Sequence, residues 1–430
     1  MTRHQYMTSH NNRLFIDQVD SLDLAKTYGT PLYVLSERAL TDNYRQIQRA
    51  FSHARLETEI IYASKAFSSL GIYDIMNHLG ASIDVVSGGE LYTAHMSQYP
   101  MDQVYFHGNN KSMDEIKMAL DYGVKCLVVD NLMELYYLAS LDRPCEIMLR
   151  VNPGIEASTH PHIQTGMTNN KFGISFESYD LKEALTCIQD NPQVSLLGLH
   201  CHIGSQISDG DSYLHMTRVI LDQVRLIKHL YDIDIKRLNL GGGFSIAYTA
   251  QGQAFDFTCL QEVLAIIDTY NHQHQLSIQG VMIEPGRSII GHAGTTLYQV
   301  GFSKTTSLGR HYLFLDGGMT DNLRPALYQA PYTALVANRM EEPTYQTYTL
   351  AGKCCESGDI LIEAADLPKV HQGDLVAITC TGAYNYSMAS NYNRIPRPPV
   401  ILVTEGDHQV LIQRESYDDL IRNDLRRYHG

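Results

Sequence analysis

Eight short apolar runs, each closing on glycine or polar residues, constrain this chain more than any other feature. They are Ile60–Ala63, Ile83–Val86, Val104–Phe106, Cys126–Val129, Ile147–Val151, Leu196–Ile203, Arg237–Leu240 and Val281–Ile283. Between them lie amphipathic stretches such as "SMDEIKMALDYG" and "DSYLHMTRVILDQVRLIKHLY", with apolar residues at helical spacing. Eight alternating units of this kind predict an α/β chain built on a parallel (β/α)8 barrel. The endings matter more than the count: "YASK", "DVVSGGE", "FHGNN", "VVDN", "LRVNP", "HCHIGS", "LGGG" and "EPGR". Barrel enzymes place their sites at the C-terminal ends of their strands. A doubly wound open sheet is the structural alternative.

After residue 290 the rhythm changes. "TTLYQVGFSK", "HYLFLDGG", "ILIEAADLPKV" and "DLVAITCTGAY" read as short strands separated by turn residues, which predicts a second, mostly β domain. "RLFIDQVD" and "PLYVLSE" read as strands that precede the barrel and can pair with the later sheet. The expected division is therefore 1–36 with the β domain, 37–290 as barrel and 291–430 as β domain, the last being discontinuous in sequence.

A chain of 430 residues is long enough for two or three domains. Its 47 acidic and 33 basic residues leave a net charge of −14, which argues against a nucleic-acid or anionic-membrane surface. No run of 18 apolar residues suggests a spanning helix. The opening "MTRHQYMTSHNNRLF" has no continuous apolar segment of the secretory kind, so a cytoplasmic setting with free thiols is expected. The eight cysteines form no C-x-x-C pair and no zinc-type spacing, so no metal is expected.

Four stretches can carry chemistry. Lys65 in "YASKAF" follows an apolar run and is flanked by small residues. A lysine there, partly desolvated, can act as an amine nucleophile toward an aldehyde, where most lysines are solvated surface charges. In "GLHCHIGSQ", His200 and His202 are two apart and would share one face of a strand, as metal ligands or as a flat ring against an aromatic. Ser205 can hydrogen-bond an anion. "NLGGGF" lets the backbone approach a phosphate, or is simply a tight turn. "EPGRS" offers Glu284, Gly286 and Arg287, or a surface pair around a Pro-Gly turn. Together they are the parts needed to hold pyridoxal phosphate as a Schiff base.

At this point the chain resembles the fold-type III pyridoxal-phosphate decarboxylases, within them the diaminopimelate decarboxylase family. The resemblance runs through "YASKAF", "HGNNKS", "RVNPGIEASTHPHIQTG", "KFGI", "GLHCHIGSQ", "NLGGGF", "EPGRS", "DGGMTDNLRPALY", "CESGD" and "GAYNYSMASNYN", residues 62 to 393. It implies an alanine racemase-like barrel plus a β domain. It also implies decarboxylation of meso-2,6-diaminopimelate to L-lysine and carbon dioxide, the last step of lysine biosynthesis.

The roles that follow are implied by that resemblance. Lys65 carries the cofactor, His202 stacks on its ring, and Ser205, Gly243, Gly286 and Arg287 hold its phosphate end. Glu284 faces the pyridine nitrogen, where a carboxylate keeps the ring a strong electron sink. Arg324 and Tyr328, with Arg287, suit the distal carboxylate of the substrate, and Glu356 its distal ammonium. Tyr384 contacts cofactor and substrate. Cys355 is the proton donor; an ordinary thiol is mostly protonated at neutral pH. Cys355 and Glu356 are expected from the partner subunit of a homodimer, and Cys354 is expected to be packing. The chain departs from the family pattern at Lys353 and Cys354, where proline and an apolar residue are usual, and in detail at "GGGFSIAY" and "NYNRIPRPP".

Overall fold

The computed structural model describes residues 4–155 and 171–427. The "RVNPGIEASTHPHIQTG" stretch begins at Arg150, and the part from residue 156 onward lies outside the described residues. Two compact units are present: Tyr44–Ile246 with Gln253–Ser288, and Met1–Asn43 with Ala247–Gly252 and Ile289–Gly430.

The first unit is a closed parallel barrel. Its strands are Glu57–Ala63, Ser82–Val85, Val104–Phe106, Cys126–Val129, Cys145–Asn152, Val194–His200, Arg237–Asn239 and Gly280–Ile283. Each pairs with the next, and the last closes on the first, with Gly280 opposite Glu57 and Ile283 opposite Ile60. All eight expected runs fall on strands of this barrel, the sixth stopping at His200 rather than continuing to Ile203. Ile174–Ser175 adds a short parallel piece beside the end of Cys145–Asn152.

Local chemistry explains the alternation. Helices start where a Ser or Asn side chain caps the free amides: Ser69 before Leu70–Leu79, Ser87 before Gly88–Met96 and Asn131 before Leu132–Ser140. Ser112 and Glu115 form a reciprocal capping box before Met113–Tyr122. Glycines in the left-handed region at Gly80 and Gly123 end two of them. Inside the barrel Ile61, Tyr105, Cys126, Val128, Met148 and Met282 pack together and are at most 1% exposed, so the barrel is filled by side chains rather than hollow.

The second unit is mostly β. A nine-stranded sheet includes Leu32–Ser36, Gly294–Thr305, His311–Leu315, Gln346–Ala351, Ile360–Leu367, Leu375–Thr379 and Val400–Thr404. Leu32–Ser36 lies between Gly294–Thr305, to which it is antiparallel, and Val400–Thr404, to which it is parallel. All five of its residues are buried. A separate small sheet, Met7–His10, Arg13–Ile16 and Val19–Asp20, supplies Leu14, Ile16 and Val19 to the same core as Leu32, Val34, Leu297 and Ile401.

Candidate active site

At the C-terminal end of the first barrel strand, Ser64–Ala66 form one turn of 3₁₀ helix. The Ser64 amide donates to Asp84 Oδ1 at 2.9 Å, and the Tyr62 hydroxyl donates to the Phe67 carbonyl at 2.9 Å. Between two buried neighbours, Lys65 is exposed. The turn is pinned, and the Lys65 charge reaches the buried Asp84, Glu90 and His202. The Ala63 amide donates to the Pro285 carbonyl at 3.2 Å, which seats the lysine turn against "EPGR". A Cβ on Gly286 would lie 2.9 Å from Ala63 Cβ and 3.0 Å from Ala66 Cβ. Glycine is required there by the closeness of the lysine turn.

Glu284 directly follows the last strand and is 7% exposed. Asn239 Nδ2 donates to its Oε1 at 2.7 Å. His200 Nε2 meets its Oε2 at 3.1 Å, and His107 Nε2 lies 2.9 Å from Oε1. Burial pushes this carboxyl up, but the two imidazoles outweigh it and hold the group well below the usual carboxylate range. Burial holds His200 down at about 4 against the pull of the Glu284 charge. The nearby Asp84 carboxyl goes the other way: burial raises it to about 6, with His107 opposing. Thus one of two neighbouring buried carboxyls is favoured as an anion and the other leans toward neutrality.

His107 comes from "FHGNNK", a stretch that carried no assigned role in the sequence. Lys111 explains its geometry: its ammonium is 2.8 Å from Glu134 and donates to the carbonyls of Gly108 and Val128 at 2.8 and 2.9 Å. This buried pair fastens the turn that presents His107. Asn239 and Asp84 were likewise missed; the signal available was their place at strand ends.

His200 and His202 do not share a strand face as expected. The strand stops at His200, and His202 sits in the following loop, where its Nδ1 accepts from the Gly242 amide at 3.2 Å. Burial and then the Lys65 charge hold His202 well below the ordinary imidazole range. A ring fixed by its Nδ1 has a set plane, which suits stacking. The grouping of potential ligand atoms within 4.8 Å is instead His107, His200 and Glu284.

The three glycines have separate reasons. A Cβ on Gly241 would overlap the Cys201 carbonyl oxygen, and one on Gly242 the Glu284 carbonyl oxygen. Gly243, at φ +105°, would overlap the Gly204 carbonyl. The Gly241 amide is taken by Asn239 Oδ1 at 2.9 Å and that of Gly242 by His202. Arg287 Nη2 donates to Ser205 Oγ at 3.2 Å, so these two expected anion ligands do meet.

In the β unit, Asp359 organises "KCCESGD". It is 3% exposed and accepts from the Met319 amide at 2.7 Å and the Cys354 amide at 2.8 Å. Side chains at Gly318 or Gly352 would overlap its carboxylate. Cys355 is exposed, with its amide on Asn393 Oδ1 at 2.8 Å. Glu356 is exposed and accepts from the Gly358 amide at 3.2 Å. Arg324 is 5% exposed, donates to the Tyr332 hydroxyl at 2.6 Å and lies 4.7 Å over the Tyr248 ring. Tyr328, half-buried, ends the same short helix, Arg324–Tyr328. Tyr384, half-buried, adopts φ +66°, unusual for a tyrosine.

A model of the pyridoxal-dependent decarboxylase pyridoxal-binding domain matches residues 38–291. Diaminopimelate decarboxylase of Bacillus subtilis strain 168 is 44% identical over 97% of each chain. The chain belongs to the diaminopimelate decarboxylase family. The Staphylococcus aureus (strain COL) member of the family is 40% identical over 97% of this chain and 99% of its own. Among solved structures, the family member of Methanocaldococcus jannaschii in co-complex with L-lysine matches with a TM-score of 0.91 and 34% identity, covering 98% of both chains. The alanine racemase-like barrel and mostly β second domain are those of this decarboxylase family. Its cofactor is pyridoxal phosphate, and the barrel's donor set fits that group. An exposed amine follows the first strand, Ser205 the sixth, and the Glu284 carboxylate and Arg287 the last, and the glycines keep side chains out of the space between backbones. Among the described residues no helix is long and apolar enough to cross a membrane.

Proposed function

We propose that this chain is a pyridoxal-phosphate enzyme that decarboxylates meso-2,6-diaminopimelate to L-lysine and carbon dioxide, acting in the cytoplasm as a homodimer. The observation that carries the reaction type is Glu284, a buried carboxyl at the barrel's last strand end that accepts from Asn239 Nδ2 at 2.7 Å and meets His200 Nε2 at 3.1 Å. Whole-chain likeness to enzymes named for diaminopimelate supports the substrate. A bound cofactor supplies a delocalised sink for the electron pair left when the carboxyl–carbon bond breaks.

Lys65 would hold the cofactor covalently. Glu284 would keep its ring nitrogen protonated, and His202 would lie against the ring. Arg287, Ser205, Gly286 and Gly243 would hold the phosphate; of the three successive glycines, Gly243 is the one whose amide is not already taken by Asn239 or His202. Arg324 and Tyr328, with Arg287, receive the distal carboxylate, and Glu356 the distal ammonium. Tyr384 touches both cofactor and substrate. Cys355 transfers its thiol proton to the α-carbon as carbon dioxide leaves, and solvent reprotonates the exposed sulfur. Cys355 and Glu356 act in the site of the other subunit.

The test is carbon dioxide release from carboxyl-labelled meso-diaminopimelate, with L-lysine identified as product. Equal turnover of ornithine, which has no distal carboxylate for Arg324, would overturn the substrate. Full activity in Lys65→Ala would overturn the reaction.

A further inference from the structure

Three strand ends bring side-chain nitrogens to Glu284: Asn239 and His200 within hydrogen bonds, and His107 Nε2 at 2.9 Å. Asn239 cannot be turned round, because its Oδ1 accepts the Gly241 amide and its Nδ2 must therefore face Glu284 Oε1. His200 Nε2 faces Oε2. Its Nδ1 is buried with no hydrogen-bond partner among the described residues. A doubly protonated His200 would bury an unpaired N–H; the neutral Nε2–H form leaves only an unpaired lone pair, the smaller loss. The His107 ring stands edge-on to that of His200, with centroids 4.8 Å apart, and brings its Nε2 to the other carboxylate oxygen. Charge decides why neutrality matters. An imidazolium at His200 would neutralise Glu284 internally and leave nothing for a cationic ring nitrogen.

We propose that His200, as a neutral imidazole, is a positioning residue that grips Glu284 Oε2 while His107 flanks Oε1, keeping the carboxylate ionised while leaving its charge to the cofactor's pyridine nitrogen. This rests on the cofactor reading above. The other ionisable groups whose charges reach Glu284 are Asp84, Arg150, His202 and Cys201. Asp84, a buried carboxyl that feels the Glu284 charge, is the group an unassigned titration would be confused with.

The experiment uses the full-length apoprotein, so that Glu284 is read whether or not cofactor binds. Difference infrared spectra follow the carbonyl stretch of a protonated carboxyl, with Glu284→Gln and Asp84→Asn assigning the bands. Nitrogen-15 NMR of labelled histidine reads the His200 tautomer. Wild type is expected to show Glu284 ionised, and His200 neutral with the proton on Nε2, from neutral pH down to about 5, above the value of about 4 at which burial holds His200. His200→Leu is expected to bring a protonated Glu284 to neutral pH. His200→Gln, which returns an N–H to the same place, is expected to restore the carboxylate. In parallel, cofactor affinity read by absorbance should fall about ten- to a hundredfold in His200→Leu, what one hydrogen bond to a charged group is worth, and recover in His200→Gln. If His200→Leu does not fold, His107→Gln and His200→Gln still test the grip, because wild-type Glu284 and tautomer states stand alone. A protonated Glu284 or an imidazolium His200 in wild type overturns the proposal. So does stoichiometric zinc held by His107, His200 and Glu284, a donor set that zinc also accepts. If no variant and no wild type binds cofactor while the infrared result holds, the cofactor reading fails and the grip on Glu284 survives.

Discussion

The thiol of Cys354 sits beside the Asp359 carboxylate, and burial together with that charge pushes it up to about 12, while Cys355, one residue on, is exposed. The chain bends at 353–355, which leaves Cys354 half-buried and Cys355 in solvent. We expect Cys355→Ala to cut kcat by about 10²–10⁴, the usual contribution of a positioned acid, with cofactor affinity unchanged, and Cys354→Ala to be mild. Steady-state kinetics and cofactor titration check this; the reverse ranking would reassign the donor. Asp84 gives a pH prediction. Its carboxyl is raised from 3.8 to about 6 by burial, so the fold favours the neutral form. That contribution to stability is present below 3.8 and lost as pH rises through 6. Asp84→Asn, which fixes a neutral side chain, should therefore gain on wild type as pH rises from 4 to beyond 6, by about 2–3 kcal/mol at full ionisation. Denaturant unfolding at about pH 5 and pH 8 reads it, and a difference that does not grow with pH would refute it.

At the scale of elements, the barrel tolerates glycine for different reasons at different places. Gly198 lies at an irregularity in the pairing of Val194–His200 with Cys145–Asn152, and a Cβ there would overlap the Arg237 carbonyl on the other neighbouring strand. Gly123, at φ +76°, ends a helix with nothing near its missing Cβ. Gly198→Ala should cost more than about 4 kcal/mol, the range that marks steric disruption, and Gly123→Ala about 1–2 kcal/mol. Thermal unfolding of both variants measures the contrast. The barrel was legible because each strand is a local apolar run and each ending is local too. Lys65, Glu284, Ser205 and Arg287 could be picked out at those endings, and the fold brings Ser205 to Arg287. The partners of Glu284 were not legible: His107 lies 177 positions before it by residue number, and no local period encodes that approach. The same holds for Leu32–Ser36 beside Val400–Thr404, a parallel pairing whose second strand had gone unread, and for 247–252, which leaves the barrel sequence for the β unit. His202 was read as strand because apolar Ile203 follows it, whereas its ring bond to Gly242 belongs to a loop.

For the whole molecule, the proposed division of labour makes subunit exchange the decisive measurement. If Lys65 and Cys355 serve one site from different chains of a two-fold dimer, inactive Lys65→Ala and inactive Cys355→Ala proteins complement each other. Random remixing should restore about a quarter of wild-type sites, because half the dimers are mixed and each mixed dimer has one site intact. No recovery after verified exchange would place both residues on one chain. The β unit carries a different long-range condition. Leu32–Ser36, every residue of it buried, is paired on one side by Gly294–Thr305 and on the other by Val400–Thr404. During translation it leaves the ribosome before any barrel strand, while both of its neighbours follow the last one. At about 5–20 residues per second, that apolar segment waits unpaired for tens of seconds, a window in which a nascent-chain chaperone has something to hold.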